Sequence, residues 1–279
     1  MSKQVLMVTG ASKGIGLATV LAALRAGYQV VGTSRNSDTL CQAVENAVPE
    51  LAEHFTAVAM EFDEASIARA VAEVKDRFGR IDVLINNAGY AVLGAVEEFS
   101  AEEVRANFEV NVFGLLSVTQ AVLPIMREAR GGHIINLASI SGTLTGPAQG
   151  IYSATKASVI MLSEALREEV RPFGIQVTAI CPGGVRTDFL DNRSMRTPER
   201  SINAYRVVQQ TMDSLDDLNH NQSGNPQLLA KVIIDVASMD DAPARLYCGR
   251  SALRGLETKL GEVLHEAKEH SALGLSIDD

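Results

Sequence analysis

Apolar residues along the chain fall into two kinds of run that take turns. Val5 to Val8, Gln29 to Thr33, Ile81 to Ile85, His133 to Ala138 and Ile175 to Ile180 are short and rich in apolar residues, the pattern of strands buried on both faces. Longer stretches separate them. Ile15 to Ala26 is rich in Ala and Leu and is stopped by Gly27, and Ile67, Ala70, Val71, Val74 and Phe78 recur at helical spacing up to Gly79. Ser100 with Glu103 forms a capping box that opens one long helix running towards Arg130, and Ala154 to Val170 is helical as well. Strands alternating with helices of a dozen or more residues predict right-handed crossovers and an α/β fold, a doubly wound parallel sheet with helices on both faces. Cys181-Pro182-Gly183-Gly184 then breaks the chain, and Asp188 to Asn225 loosens into polar, Arg- and Asn-rich sequence. Asn225-Pro226 starts another helix as cap and first position, followed by a short strand, Ala244 to Tyr247, and a polar C-terminal helix. With no repeat, linker or low-complexity segment, one domain over residues 1–279 is expected.

Composition narrows the classes. Hydrophobic residues make up 46% and charged residues 21% of 279, enough for a sizeable core. A net charge of -9 argues against a general nucleic-acid or anionic-membrane surface and favours a soluble, cytoplasmic protein. No 18-residue uninterrupted apolar run and no hydrophobic leader are present, so neither a membrane span nor secretion is expected. Cys41, Cys181 and Cys248 are odd in number and far apart, as for reduced thiols. His265 and His270 sit five apart in HEAKEH, on different helix faces, so no metal site is expected.

Chemistry enters at TGASKGIG, Thr9 to Gly16, between the first strand and the first helix. Gly10, Gly14 and Gly16 permit a tight turn against which a pyrophosphate can lie, with the helix dipole and free N–H groups favouring the anion. Ser12, Lys13 and Ile15 share that loop. The glycine spacing is G-x-x-x-G-x-G rather than G-x-G-x-x-G. Where NAD enzymes commonly carry an acid for the adenosine ribose, this chain has Thr33-Ser34-Arg35. Lys13 and Arg35 together suit a 2′-phosphate, so NADP(H) is expected in preference to NAD(H).

A second pattern is Tyr152 four residues before Lys156, which stacks a phenol and an ammonium group on one helix face. A phenol titrating near 10 trades protons poorly at neutral pH; lowering it by about three units takes roughly 4 kcal/mol, which one cation about 4 Å away supplies at an effective dielectric near 20. Lys156 is therefore expected to make Tyr152 acidic.

With the glycine loop, the missing acid and Y-x-x-x-K on one chain, the sequence resembles the short-chain dehydrogenase/reductase family, common single-domain type, over about Val5 to Asp188. Further matches are NNAG at Asn86 to Gly89, Asn111 in the long helix, Ser139 in NLASISG, and PGGVRT from Pro182 to Thr187. The resemblance implies a Rossmann-type fold and an NADP(H)-dependent oxidoreductase that moves hydride between nicotinamide and a carbonyl or secondary alcohol. In it Tyr152 would be the general acid/base, Ser139 would hold the substrate oxygen, Lys156 would also bind the nicotinamide ribose, and Asn111 would anchor a water leading to Lys156. Asn87, Ala88, Gly89 and Asp63 would support or touch adenine, and Pro182, Gly183, Val185 and Thr187 would line the nicotinamide side. Residues 188–225 would form a mobile substrate lid, and the long helices would build a homodimer or homotetramer. The segment SEALREEVRPFGIQVTAICPGGVRTDF also resembles the branch related to 17β-hydroxysteroid and retinol dehydrogenases, which implies a substrate of appreciable apolar area. A non-catalytic regulator or sensor using the same nucleotide pocket stays open as the alternative.

Overall fold

The computed structural model describes residues 3–191 and 194–278; Asn192 and Arg193, in the expected lid, lie outside the described residues. Seven strands make one parallel sheet: β1 (Val5–Val8), β2 (Gln29–Ser34), β3 (Phe55–Ala59), β4 (Val83–Asn86), β6 (Gly132–Leu137), β7 (Ile175–Pro182) and β9 (Arg245–Cys248). They run in the order β3-β2-β1-β4-β6-β7-β9. The sheet is built outward from β1 in both directions, so a crevice opens between β1 and β4 at their C-terminal ends, the topological switch point where α/β sheets take ligands.

Why these runs are strands follows from their double burial. Leu6 and Val8 point into one core and Val5 and Met7 into the other, all at 2% exposure or less, and Val30 and Val31 divide the same way. One face is covered by α1 (Gly14–Arg25), α2 (Ser37–Ala47) and α8 (Pro226–Ala237), through Val20, Leu40 and Ile233. The other is covered by α3 (Glu64–Phe78), α5 (Leu115–Ala129) and α6 (Gly150–Val170), through Ile67, Val118 and Val170. Each fully buried Leu, Ile or Val adds about 1.5–3 kcal/mol.

The long helix expected from Ser100 towards Arg130 is not continuous. Its capping box is present, with Ser100 accepting from the Glu103 N–H and Glu103 accepting from Ser100, and α4 spans Ala101–Phe108. A π-helical turn, Glu109–Gly114, then intervenes before α5. Apolar spacing does not register such an insertion, because the residues on either side keep their own helical period. The stretch Ala101–Ala129 is long and apolar enough to span a membrane by length and composition, yet Val118, Val122, Ile125 and Met126 on it are buried against the sheet.

The expected lid is less irregular than its polar sequence implies. β8 (Met195–Arg196) pairs in parallel with the short β5 (Ala91–Val92), and α7 (Arg206–Leu218) follows. The helix escapes notice in the sequence because only a narrow stripe, including Met212 and Leu215, meets apolar neighbours. α2 likewise shows only Leu40 and Val44 as buried positions. The chain ends in α9 (Arg250–Glu269), α10 (Ser271–Gly274) and a 3-10 turn, Leu275–Ile277.

Candidate active site

The glycine loop lies at the C-terminal end of β1. Gly10 and Gly14 take positive φ, 64° and 57°, where an L side chain is strained. Gly16 is required by contact: a Cβ there would stand 2.3 Å from the Gly10 oxygen and 2.5 Å from Asn87 Nδ2. Lys13 caps α1 without a side-chain hydrogen bond to the helix, and no acid occupies the first turn. The first N–H groups of α1 are thus left for an anion, which fits a pyrophosphate.

Polar side chains tie this loop to the end of β4. The Thr9 hydroxyl accepts from the N–H groups of Asn87 (3.1 Å) and Ala88 (3.2 Å), while Asn87 Nδ2 donates to the Thr9 and Gly10 carbonyls at 2.9 and 3.0 Å. Thr9 is a site-building residue that motif reading passed over; its signal was its place directly before Gly10. Of the cations, Arg35 is exposed just beyond β2 and takes part in no ion pair among the described residues, and Lys13 donates to the Ser194 hydroxyl. Ser12 is exposed beside Lys13, and Ile15 packs partly against the core under the helix. Asp63 caps α3, accepting from the Ser66 N–H at 2.9 Å.

Across the crevice, β7 ends at Pro182 and the next N–H, of Gly183, donates to the Cys248 carbonyl at 2.9 Å. Gly224 then holds Gly184 and Arg186 through their backbones, and neither bond uses the N–H or C=O of Val185. Thr187 caps the turn Asp188–Leu190 with its hydroxyl on the Phe189 N–H.

Tyr152, Lys156, Ser139 and Asn111 come together between β4, β6 and α6. Ser139 lies two residues beyond β6 and caps the turn Ile140–Gly142, accepting from the Ser141 N–H at 3.1 Å. Tyr152 sits in the first turn of α6 and Lys156 in the second, both buried. Lys156 Nζ donates to the Leu137 carbonyl at 2.7 Å and lies 5.9 Å from the centroid of the Tyr152 ring. Asn111, on the π turn, accepts from the Tyr90 N–H and donates to the Tyr90 carbonyl, both at 3.0 Å, and donates to the Thr155 hydroxyl at 3.1 Å. Gly89 lies between Asn111 and Lys156: a Cβ there would stand 3.0 Å from Asn111 Oδ1 and 3.5 Å from Lys156 Nζ. Thr155, Asn107 and Tyr90 were not found from the sequence, since single polar residues in helices and loops carry no spacing signal.

The electrostatics overturn one expectation. Burial pushes the Tyr152 phenol up to about 12, and the hydrogen bond from Ser139 offsets only part of that rise. Burial also pulls the Lys156 ammonium down to about 8. In the protein alone, therefore, Lys156 does not make Tyr152 acidic. The ammonium is turned to a backbone carbonyl, and desolvation outweighs what attraction remains.

The surroundings of Tyr152 are apolar. Ala91, Val92, Leu93 and Met195 pack with it, and Phe189 lies 5.9 Å from its ring centroid. Nearby, Gly94, Val96, Pro147, Ala148, Tyr205 and Val208 line a cavity of about 550 Å³.

Comparison with known proteins agrees with this geometry. A 3-ketodihydrosphingosine reductase from Bacteroides thetaiotaomicron is 40% identical over 70% of this chain and 69% of its own. A short-chain dehydrogenase from Streptomyces avermitilis superposes with a TM-score of 0.89 at 35% identity, covering 99% of this chain and 100% of that one. A serine dehydrogenase complexed with NADP+ superposes with a TM-score of 0.74 at 26% identity over 88% and 94% of the two chains. Some of the solved structures it resembles hold a nicotinamide cofactor; the family model for short chain dehydrogenases matches residues 4–198, more than half of the sequence, and the chain belongs to that family of oxidoreductases.

Proposed function

We propose that this protein is an NADP(H)-dependent oxidoreductase acting on a ketone, aldehyde or secondary alcohol, with Tyr152 as general acid and base. The observation that carries the reading is the convergence of Tyr152, Ser139, Lys156 and Asn111 beside a glycine loop whose helix N-terminus is free for a pyrophosphate.

When bound, a nicotinamide supplies or takes up the hydride. Gly10, Ser12, Lys13, Gly14, Ile15 and Gly16 would hold its pyrophosphate, Arg35 with Lys13 the 2′-phosphate, and Asp63, Asn87, Ala88 and Gly89 the adenosine side. Pro182, Gly183, Val185 and Thr187 would line the nicotinamide; the backbone groups of Val185, unused among the described residues, suit its carboxamide, whereas the Gly183 N–H is already committed to Cys248. During reduction Tyr152 gives its phenolic proton to the substrate oxygen, and during oxidation it takes that proton back. Ser139 donates a hydrogen bond to the same oxygen as its negative charge grows. A phenol raised to about 12 stays protonated at neutral pH, which suits the donor role. For the reverse role Lys156 must leave the Leu137 carbonyl and approach the phenolate, and Asn111, across Gly89 from Lys156, would anchor a relay water leading to it.

The apolar wall around Tyr152 supports a substrate of appreciable apolar area, and the Bacteroides relative carries the name of a ketone reductase. Residues 188–225, with α7, form the lid within one catalytic unit over the whole chain. The acidic surface suits a cytoplasmic protein without nucleic-acid or membrane partners, and the half-exposed Phe113, on the π turn leading into α5, and Met161, on α6, suit a homodimer or homotetramer through these long helices.

The test is oxidation of NADPH followed by absorbance against a panel of carbonyl compounds, with Tyr152→Phe beside the native protein. Turnover falling by more than about 10³-fold with cofactor binding retained supports the acid role. Undiminished turnover would refute it, and an inactive native protein that still binds NADPH would favour a regulator.

A further inference from the structure

The C-terminal helix carries a surface that the rest of the chain does not cover. α9 spans 20 residues, about 30 Å, and among the described residues its contact with the body is confined to its first half, where Ala252 is buried, Gly255 lies against Leu144, and Leu256 and Lys259 are partly buried. From Leu260 to Asp278 every described residue is exposed. Yet the exposed part is not polar throughout. Leu253, Leu256, Leu260 and Val263 alternate three and four apart, Ala267 continues the series, and Leu264 flanks it. That is a heptad seam: Leu253, Leu260 and Val263 on it and Leu264 beside it are 45–60% exposed, and Leu256 is partly buried. A helix standing free in water needs tertiary burial of such a stripe to be stable.

We infer that the α9 seam pairs with α9 of a second copy of this chain, antiparallel about a twofold axis. The charges choose both the partner and the direction. Arg250, Arg254 and Lys259 outweigh Glu257 in the first half of the helix, and Glu262, Glu266 and Glu269 outweigh Lys268 in the second. With Leu260 set against Val263 of the second copy, heptad geometry brings Lys259 beside Glu266 of that copy, and the twofold axis repeats the pair. Parallel pairing would instead set Lys259 beside Leu264 and bring the two basic halves together. A lipid surface fits less well, because α9 balances its four cations with Glu257, Glu262, Glu266 and Glu269 and so has no basic face. His265 fits the same picture: it faces Glu269 on its own helix at 3.9 Å and stays off the seam.

Sedimentation equilibrium of the full-length protein tests this directly, because none of the residues changed is buried in the protein. Leu260→Asp is expected to weaken one self-association step by more than about tenfold. Lys259→Glu and Glu266→Lys should each weaken it by about three- to tenfold, and the two together should return it to within about threefold of the native value. Equal association of the native protein and Leu260→Asp overturns the proposal, as does a double variant no better than the singles. Binding of the native chain to vesicles of anionic phospholipid that Leu260→Asp abolishes would assign the seam to a membrane and overturn it as well.

Discussion

Asn111 reads the peptide of Tyr90 in both directions, accepting from its N–H and donating to its C=O at 3.0 Å each. The π turn Glu109–Gly114 makes this possible by adding a residue to the helix and turning Asn111 toward the loop after β4. The clamp fixes the backbone next to Gly89, opposite Lys156. Asn111→Leu should therefore lower stability by about 1–3 kcal/mol, for the Tyr90 N–H left unpaired while Asn107 still donates to the Tyr90 carbonyl at 3.0 Å, and lower kcat by more than about tenfold. Urea unfolding and steady-state kinetics on one preparation check both.

Arg35 is exposed beyond β2 and is free of ion pairs among the described residues. If it holds a 2′-phosphate, Arg35→Ala should weaken NADPH binding by about 10- to 100-fold and leave NADH binding nearly unchanged. Fluorescence titration with each nucleotide measures the ratio, and an unaltered ratio would assign NADP preference elsewhere.

Lys156 titrates near 8 in the folded protein against 10.5 for the ordinary group. Between those values the unfolded chain binds more protons, so this residue makes stability rise with pH from about 8 to 10.5, by roughly 3 kcal/mol. Lys156→Met should flatten the rise as seen in unfolding curves at pH 7.5 and 10, and should also abolish turnover.

His133 gives the matching slope on the acid side. It is buried in β6 with Nε2 3.0 Å from the Thr178 hydroxyl, whose proton goes to the Pro243 carbonyl, so Nε2 carries the ring proton. Burial pulls its pKa down to about 4 from 6.5. The unfolded chain binds more protons between those values, so stability is lost as pH falls from about 6.5 to 4, again by roughly 3 kcal/mol. His133→Asn should remove that part of the acid slope in thermal melts.

Much of the fold was legible because both-sided burial leaves short apolar runs, and helical spacing marks a buried stripe. The strands around Leu6, Val30, Leu84, Ile134 and Val177 are where those runs lie, and the glycine loop could be read because backbone geometry there excludes side chains. α2, α7 and the β5-β8 pair were not legible, since few of their residues touch the core.

By itself, then, the sequence determined which segments alternate, where the chain must turn without a Cβ, and which four side chains to expect together at one site, because these depend on local period and residue type. Only the tertiary structure decided that a π turn aims Asn111 at Tyr90 and that Thr9 ties the loop to β4. It also decided that burial raises the Tyr152 phenol while Leu137 holds the Lys156 amine. Such outcomes depend on which distant groups meet and how much water they lose, and neither quantity is carried by spacing along the chain.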